Sequence, residues 1–497
     1  MGVIKRQGIK TMLVSYIGVL IGMFNLLWLY PKYLDKSEIG LIYGLVDAAG
    51  LCLPFVLLGI TAVSVRYFSY FDNSAKRHHG FLSLLTAVPL VAFLLLLPVF
   101  YWQSPHLAAL FAGRSPLFAN YLGYLPLLCF FLVFFNLFES YSRSFHRIVV
   151  SGLLREFFLR IGTTAVVLLY AVHWVSLNGF VISYISLYGF ALLLLLLYIA
   201  QQKQLLYSFP DRSVFNKQMR REILLFSLFI FIGNLGGTIV YKIDSIMINA
   251  LIGEADNGVF KIASFIGLVV EMPRRALTQI AGSVVAGYFK NNQMAQIEDL
   301  YKRVATNQFI AGIWLLMCIW VNVNNIFAIM PNGHLYTAGI YVILFTGIAK
   351  VFDMLTSINE EIISFSPYYR FTPLAMLFLV AITIVTNLTL IPIWGITGVA
   401  IANTLSILAY NMLKFGLIYL KMGIHPFSIA TLKIALIAAV VMVLNYYLPT
   451  LNYPLADAIL RSAMITLFFG GTVLVWQVSP DLNNAVRQAI VGVRRFF

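Results

Sequence analysis

Tyr33–Leu45 reads YLDKSEIGLIYGL, and Ala250–Ala263 reads ALIGEADNGVFKIA. In each, a charged stretch between two apolar runs leads into a glycine and a new hydrophobic run, and Gly40 falls on Gly258 at an offset of 218 residues. The same offset places Gly18 on Gly236 and YFDN (Tyr70, Phe71, Asp72, Asn73) on YFKN (Tyr288, Phe289, Lys290, Asn291). With a slip of one residue, Pro54 falls on Pro273 and Gly179 on Gly398. Glycine is common, so no single coincidence counts for much; the shared spacing marks an internal repeat.

Outward from these two segments the chain is almost continuously apolar. Of its 497 residues 61% are hydrophobic and only 11% charged, with a mean hydropathy of +0.88. A soluble domain carries roughly 25% charged residues, so a water-soluble globule is excluded. Runs of about 20 apolar residues, the length that crosses a hydrocarbon core, recur throughout. They predict an all-α polytopic membrane protein with about fourteen spans. These lie near 10–30, 41–64, 80–101, 119–139, 157–175, 180–200, 223–246, 258–284, 304–325, 335–356, 371–391, 396–418, 430–448 and 456–477. The repeat unit holds about six spans, an even number, so both copies keep one orientation and are related by an axis along the membrane normal. The expected organisation is two six-helix bundles, 1–210 and 211–425, followed by two additional helices and a short tail in 426–497.

An even number of spans puts both termini on one side, and about 28 of the 34 Lys and Arg residues fall in loops on that side. The positive-inside rule makes it cytoplasmic. The net charge of +15 is thus a topology signal and not a nucleic-acid footprint. The apolar run after Lys5, Arg6 and Lys10 is too long for a signal-peptide core and has no small-residue cleavage site, so it is expected to remain as a span. Cys52, Cys129 and Cys318 lie in apolar stretches without CxxC spacing, and the seven histidines show no i,i+4 pair. Neither a disulfide framework nor a metal site is expected. Phosphate-binding GxxxxGK[ST], HExxH and GxSxG are absent, and no large loop is left to carry an enzyme site.

The segments LDKSEIGLIYGLVDAAGLCLPFVLLGITAVSVRYFS (34–69), KIDSIMINALIGEADNGVFKIAS (242–264) and WGITGVAIANT (394–404) resemble the flippases for lipid-linked oligosaccharides. That family sits in the superfamily of multidrug and toxic compound extrusion transporters and peptidoglycan-precursor flippases. The family's Asp late in span seven, with a Gly and an aromatic residue opening span eight, matches Asp244, Gly258 and Phe260. The peptidoglycan-precursor subgroup usually carries charges in the first span, where this chain has none between Lys10 and Lys32, and many drug extruders carry a carboxylate there and stop at twelve spans. The resemblance therefore implies a non-enzymatic exporter of undecaprenyl-diphosphate-linked oligosaccharide, such as an O-antigen or capsule repeat unit, in the bacterial inner membrane. It further implies contact with membrane lipids and with glycan polymerase and glycosyltransferases. A cation-coupled drug antiporter on the same scaffold and a membrane-embedded glycan-assembly enzyme are the alternatives.

An ionisable group at bilayer depth needs a cavity, a partner or a function. Arg274, Arg275, Lys261, Lys242 and Arg66 are the candidate cavity cations for a diphosphate, because guanidinium forks match phosphate oxygens. Glu271 sits three and four residues before Arg274 and Arg275, the spacing of an ion pair on one helix face. Snorkelling is the competing account of Lys242. Asp47 has no basic neighbour at i±3 or i±4 on its own helix, and together with Asp244 and Glu271 it forms the candidate set for coupling to a proton or sodium gradient; no other cofactor is expected. Asn25, Asn136, Asn234 and Asn403 are candidate polar lining for sugar hydroxyls. Lys350 with Asp353, and Asp457 with Arg461, read as structural pairs.

Overall fold

The computed structural model describes residues 17–145, 147–211 and 213–494. Lys5, Arg6 and Lys10 lie outside the described residues, as does the side chain of Arg275. Among the described residues the chain is helical and contains no strand. Ten helices are long and apolar enough to cross a membrane. The difference from fourteen has a local cause at each place. Phe371–Met422 runs for 52 residues but carries two spans, divided at Gly395, whose backbone (φ 58°, ψ −136°) is not helical. Three more spans are short or interrupted: 17–33 contains a π-helical turn at Asn25–Leu29, 149–171 another at Leu154–Phe158, and 254–290 a 3₁₀ turn at Val269–Glu271.

The spans are numbered α1 (17–33), α2 (36–71), α3 (Phe81–Ala112), α4 (Leu125–Ser144), α5 (149–171), α6 (Leu177–Gln201), α7 (Lys217–Leu251), α8 (254–290), α9 (Met294–Val321), α10 (Ile340–Thr356), α11 (371–394), α12 (396–422), α13 (Ile429–Tyr446) and α14 (Pro454–Val475). A final helix, α15 (Pro480–Arg494), follows. The chain divides into two compact units, one ending at Gly258 and the other beginning at Val259.

In the first unit the repeat is visible as a contact. Gly40 in the first turns of α2 and Gly258 in the first turns of α8 lie backbone to backbone: a Cβ on Gly40 would run into the carbonyl of Glu254, and one on Gly258 into the carbonyl of Lys36. Lys36 and Glu254 are themselves 218 residues apart, so the contact is reciprocal, as a local two-fold relation between repeat copies produces. Asn257 Nδ2 donates to the Gly40 carbonyl at 3.2 Å across the same crossing.

α2 is not a single straight span. Pro54 leaves the helix to end at Leu57, and Leu58 (φ 47°) and Gly59 (φ 78°) turn the chain before Ile60–Phe71 resumes. A left-handed residue with the Ser227 carbonyl 2.4 Å from its would-be Cβ must be glycine, and Ser227 Oγ donates to the Leu58 carbonyl at the same point. The kink fixes the direction of the helix that carries Arg66.

The second unit has its own core, in which Phe309 and Met317 of α9, Met354 of α10, Ile434 and Val441 of α13, and Ile465 and Phe469 of α14 pack together. The added helices thus belong to that core. Asp457 accepts from Arg461 Nε at 2.8 Å and from Asn325 at 2.7 Å, and Arg461 donates to Asn445 Oδ1 at 2.9 Å. All three of Asp457, Arg461 and Asn445 are buried, and these contacts pair the two charges where each alone would cost several kcal/mol.

Candidate functional site

The first unit contains a cavity of about 620 Å³ walled by α2, α4, α5 and α7. Two of the walls supply lining residues at helical spacing. Asn136, Glu139, Ser140 and Arg143 follow one another at i, i+3, i+4 and i+7 on α4, and Ile230, Asn234 and Thr238 at i, i+4 and i+8 on α7. Thr61 and Arg66 come from the helix after the Gly59 kink, and Arg155 from the π-helical turn of α5. A neighbouring hollow of about 510 Å³, lined by Asp72 and Gln204 among others, shares Val65 and Arg143 with it, so Arg143 stands at their junction.

Three guanidinium groups face one carboxylate among the cleft's lining residues. Glu139 is buried and accepts from Arg143 at 2.8 Å and from Arg155; Arg155 also donates to Asn136 Oδ1 at 2.9 Å. The Nε of Arg155 is buried and has no acceptor. Arg66 is exposed to the cleft and meets no carboxylate among the described residues; its guanidinium lies 4.3 Å from the Phe226 ring centroid. Such a contact orients the fork without using its donors. The lining therefore carries two positive charges in excess, with Arg66 donors open. It is suited to a multiply charged oxyanion whose paired oxygens a guanidinium fork can meet.

The other expected site residues lie elsewhere. Asp47 has a partner that single-helix spacing could not reveal: Lys242 of α7 donates to its Oδ1 at 2.8 Å and Ser245 to its Oδ2 at 2.7 Å. The Lys242 stem lies against Gly50, so the ammonium turns into the helix contact. Asn25 is buried, donating to the Arg160 carbonyl at 2.9 Å and accepting from Thr164 at 2.8 Å. In the second unit Arg274 pairs with Asp353 and lies 3.5 Å from Glu271, while Lys350 reaches Glu271 at 2.7 Å. The quartet Glu271, Arg274, Lys350 and Asp353 is thus a charge-balanced link between α8 and α10, and Asn411 of α12 joins it at 3.1 Å to Asp353. Asp244, Lys261 and Asn403 are all engaged by neighbouring groups.

Of the twelve expected residues the cleft brings together Arg66, Asn136 and Asn234. It adds Glu139, Arg143 and Arg155, which the sequence presents as charges ending or opening spans. The polar stripe on α4 is the signal that could have found the first two: Asn136, Glu139 and Arg143 at i, i+3 and i+7 share a face, which loop charge alone does not require.

No family model and no curated protein matches the chain. Solved structures do. The lipid II flippase MurJ in an inward closed conformation is similar with a TM-score of 0.74 at 13% identity, over 95% of this chain and 100% of that one. An inward-facing multidrug resistance MATE family transporter of the MOP superfamily is similar with a TM-score of 0.61 at 15% identity, over 84% and 98%. A MOP superfamily transporter from Pyrococcus furiosus has a TM-score of 0.55 at 13% identity, over 85% and 95%. At such identities the likeness speaks for architecture alone, and the chain has the fold that these multi-pass membrane transporters share.

Proposed function

We propose that the protein is a flippase that carries an undecaprenyl-diphosphate-linked oligosaccharide from the cytoplasmic to the outer leaflet of the bacterial inner membrane. The observation that carries this reading is the arginine-rich cleft of the first unit. A diphosphate bears about two negative charges and cannot enter hydrocarbon unaided; a lining with two positive charges in excess offsets its desolvation. In this account Arg66 and Arg155 take the phosphate oxygens and Asn234 and Thr238 bond the first sugar. With both termini cytoplasmic, the Arg143 end of the cleft, at the C-terminal end of α4, lies toward the side where lipid-linked glycans are made. Glycosyltransferases supply the substrate there, and a polymerase on the other side would consume it. Alternating access of the two repeat bundles, 1–210 and 211–425, with the helices of 426–497 added, completes the cycle.

The drug-antiporter alternative needs carboxylates offered to a cationic substrate. Glu139 is instead held by two arginines, and Asp47 by Lys242, which favours the anionic cargo. A gradient could still act through Asp244, and transport assayed with and without an imposed proton or sodium gradient decides it. Equilibrium binding of a fluorescent polyprenyl diphosphate to the detergent-solubilised protein tests the cleft itself. Arg66→Gln should weaken binding about tenfold or more, since a hydrogen bond to a charged group is worth ~1.5–3 kcal/mol. Equal affinity in the variant would remove Arg66 from the site and the reading with it.

A further inference from the structure

α1 and α5 touch along a narrow seam in the first unit. Gly18 and Gly22 form it: a Cβ on Gly18 would stand 2.5 Å from the Glu156 carbonyl, and Gly22 lies against the Arg160 side chain. Small residues four apart let helices approach this closely in lipid. Polar rungs hold the seam, with Asn25 donating to the Arg160 carbonyl, Thr164 donating to Asn25, and Arg160 donating to the Gly18 carbonyl. Each helix also carries a π-helical turn beside the seam, a distortion that recurs at functional sites.

Beside it the two helices part and leave an open groove of about 560 Å³. Leu20, Ile21 and Phe24 form one wall, and Ile161, Ala165 and Leu168 the other. Leu20 is 66% exposed on one wall and Ile161 42% on the other, so neither wall is covered by the described residues.

We infer that this groove seats the first isoprene units of the substrate's polyprenyl tail, an inference that rests on the flippase reading above. Two observations select that occupant. Arg155, which lines the cleft, and Ile161, which lines the groove, sit six residues apart on α5, about 9 Å along the axis. A lipid with its diphosphate at the level of Arg155 sends its chain into the bilayer at the depth of the groove. The direction agrees as well: α5 enters from the cytoplasmic side in the proposed topology, so Ile161, Ala165 and Leu168 lie progressively deeper than Arg155. Arg155 lines the cleft and Thr164 the groove, and the two hollows share no lining residue. α5 is therefore a partition, with the head-group cleft on one side and the apolar groove on the other. The ion pair of Arg160 with Glu156 at 2.6 Å marks the polar end of the groove. Lipid tails are as apolar as the groove walls, so the groove acts by shape and orientation, not by hydrophobic transfer.

The test uses a polyprenyl diphosphate with a diazirine in its second isoprene unit, photolysed on the full-length protein in nanodiscs and mapped by peptide mass spectrometry. Adducts should concentrate on 20–24 and 161–168. Ala165→Phe, which fills the groove from a lipid-facing position, and Leu20→Trp, which fills it from the opposite wall, should each lower adduct yield and long-tail affinity about tenfold, or ~1.4 kcal/mol. Affinity for geranyl diphosphate, whose tail is too short to fill the groove, should stay within about twofold. Adducts confined to other helices, or full yield in both variants, would overturn the inference and leave the cleft reading intact. Equal labelling of the groove by a diazirine phosphatidylglycerol that excess polyprenyl diphosphate fails to displace would assign it to bilayer lipid and also overturn it. Failure of both diphosphates to bind the wild-type protein would instead defeat the flippase reading.

Discussion

The reciprocal glycine contact offers the sharpest test of the packing. A methyl on Gly40 collides with the Glu254 carbonyl, and a methyl on Gly258 with the Lys36 carbonyl. Both obstacles are main-chain atoms in helical first turns, so neither can rotate away and the crossing itself must widen. Overpacking of this kind costs about 1–3 kcal/mol, and the rigid obstacle puts these sites at the upper end. Alanine gives back roughly 0.5–1 kcal/mol over glycine in a helix, leaving a net loss of about 2 kcal/mol for Gly40→Ala or Gly258→Ala. The double variant is more informative than either single. Once α2 and the start of α8 have separated to admit one methyl, the second meets an open crossing. The double loss should therefore stay close to one single loss, a coupling of about 1–2 kcal/mol between neighbouring sites. Reversible unfolding in mixed micelles, followed by tryptophan fluorescence, measures all three variants against the parent. Neutral single variants, or losses that simply add, would refute the reasoning.

Three further outcomes follow from individual contacts. Asp47→Asn leaves the Lys242 ammonium without its carboxylate and should destabilise by about 1–3 kcal/mol, below the full cost of a buried orphan charge because Lys242 keeps some exposure; Asp47→Asn combined with Lys242→Met should recover most of it in the same unfolding assay. Gly59→Ala strains a left-handed residue by about 1–2 kcal/mol and redirects the helix carrying Arg66, so stability and diphosphate affinity should fall together, whereas Arg66→Gln should lower affinity alone. In the α6–α7 linker, hydrogen bonds from Ser213, with His79 adding a smaller pull, hold the Asp211 carboxyl down at about 2. Because that value lies below the unfolded one of about 3.9, the contact is fully present above pH 4 and is lost as pH falls through about 2. Hydrogen exchange in 205–213 should accordingly be faster in Asp211→Asn than in the parent at pH 6, with the two converging at pH 2.

The architecture was legible because lipid imposes long apolar helices that hydropathy reports directly. The spans read from sequence each overlap a helix, with ends displaced in either direction, the first of them described only from residue 17. What hydropathy misses are breaks made by single backbones: Gly59 in α2 and the π-helical turns of α1 and α5 leave the apolar pattern almost untouched. The site was less legible for a related reason. Charge partners inside a bundle come from other helices, so a search at i+3 and i+4 leaves Asp47 alone when Lys242 is 2.8 Å away, and it pairs Lys350 with Asp353 when Glu271 and Arg274 reach across to them. The cleft arginines Arg143 and Arg155 were hidden in the opposite way, since near the ends of spans they look like topology signals. The repeat gave more than expected, because the 218-residue offset that aligns Gly40 with Gly258 also identifies two residues that touch.

If the first unit's arginine cleft carries a lipid-linked diphosphate across the bilayer, head-group translocation in vesicles measures it. Polyprenyl-diphosphate oligosaccharide is placed in the inner leaflet of proteoliposomes, and its glycan is scored by access to an impermeant external lectin. The wild-type protein should expose the glycan far faster than protein-free vesicles, Arg66→Ala should slow exposure about tenfold to a hundredfold for the loss of a charge-assisted bond, and Arg66→Lys should recover part of the rate. Wild-type vesicles no faster than empty ones, or Arg66→Ala at the parental rate, would contradict it.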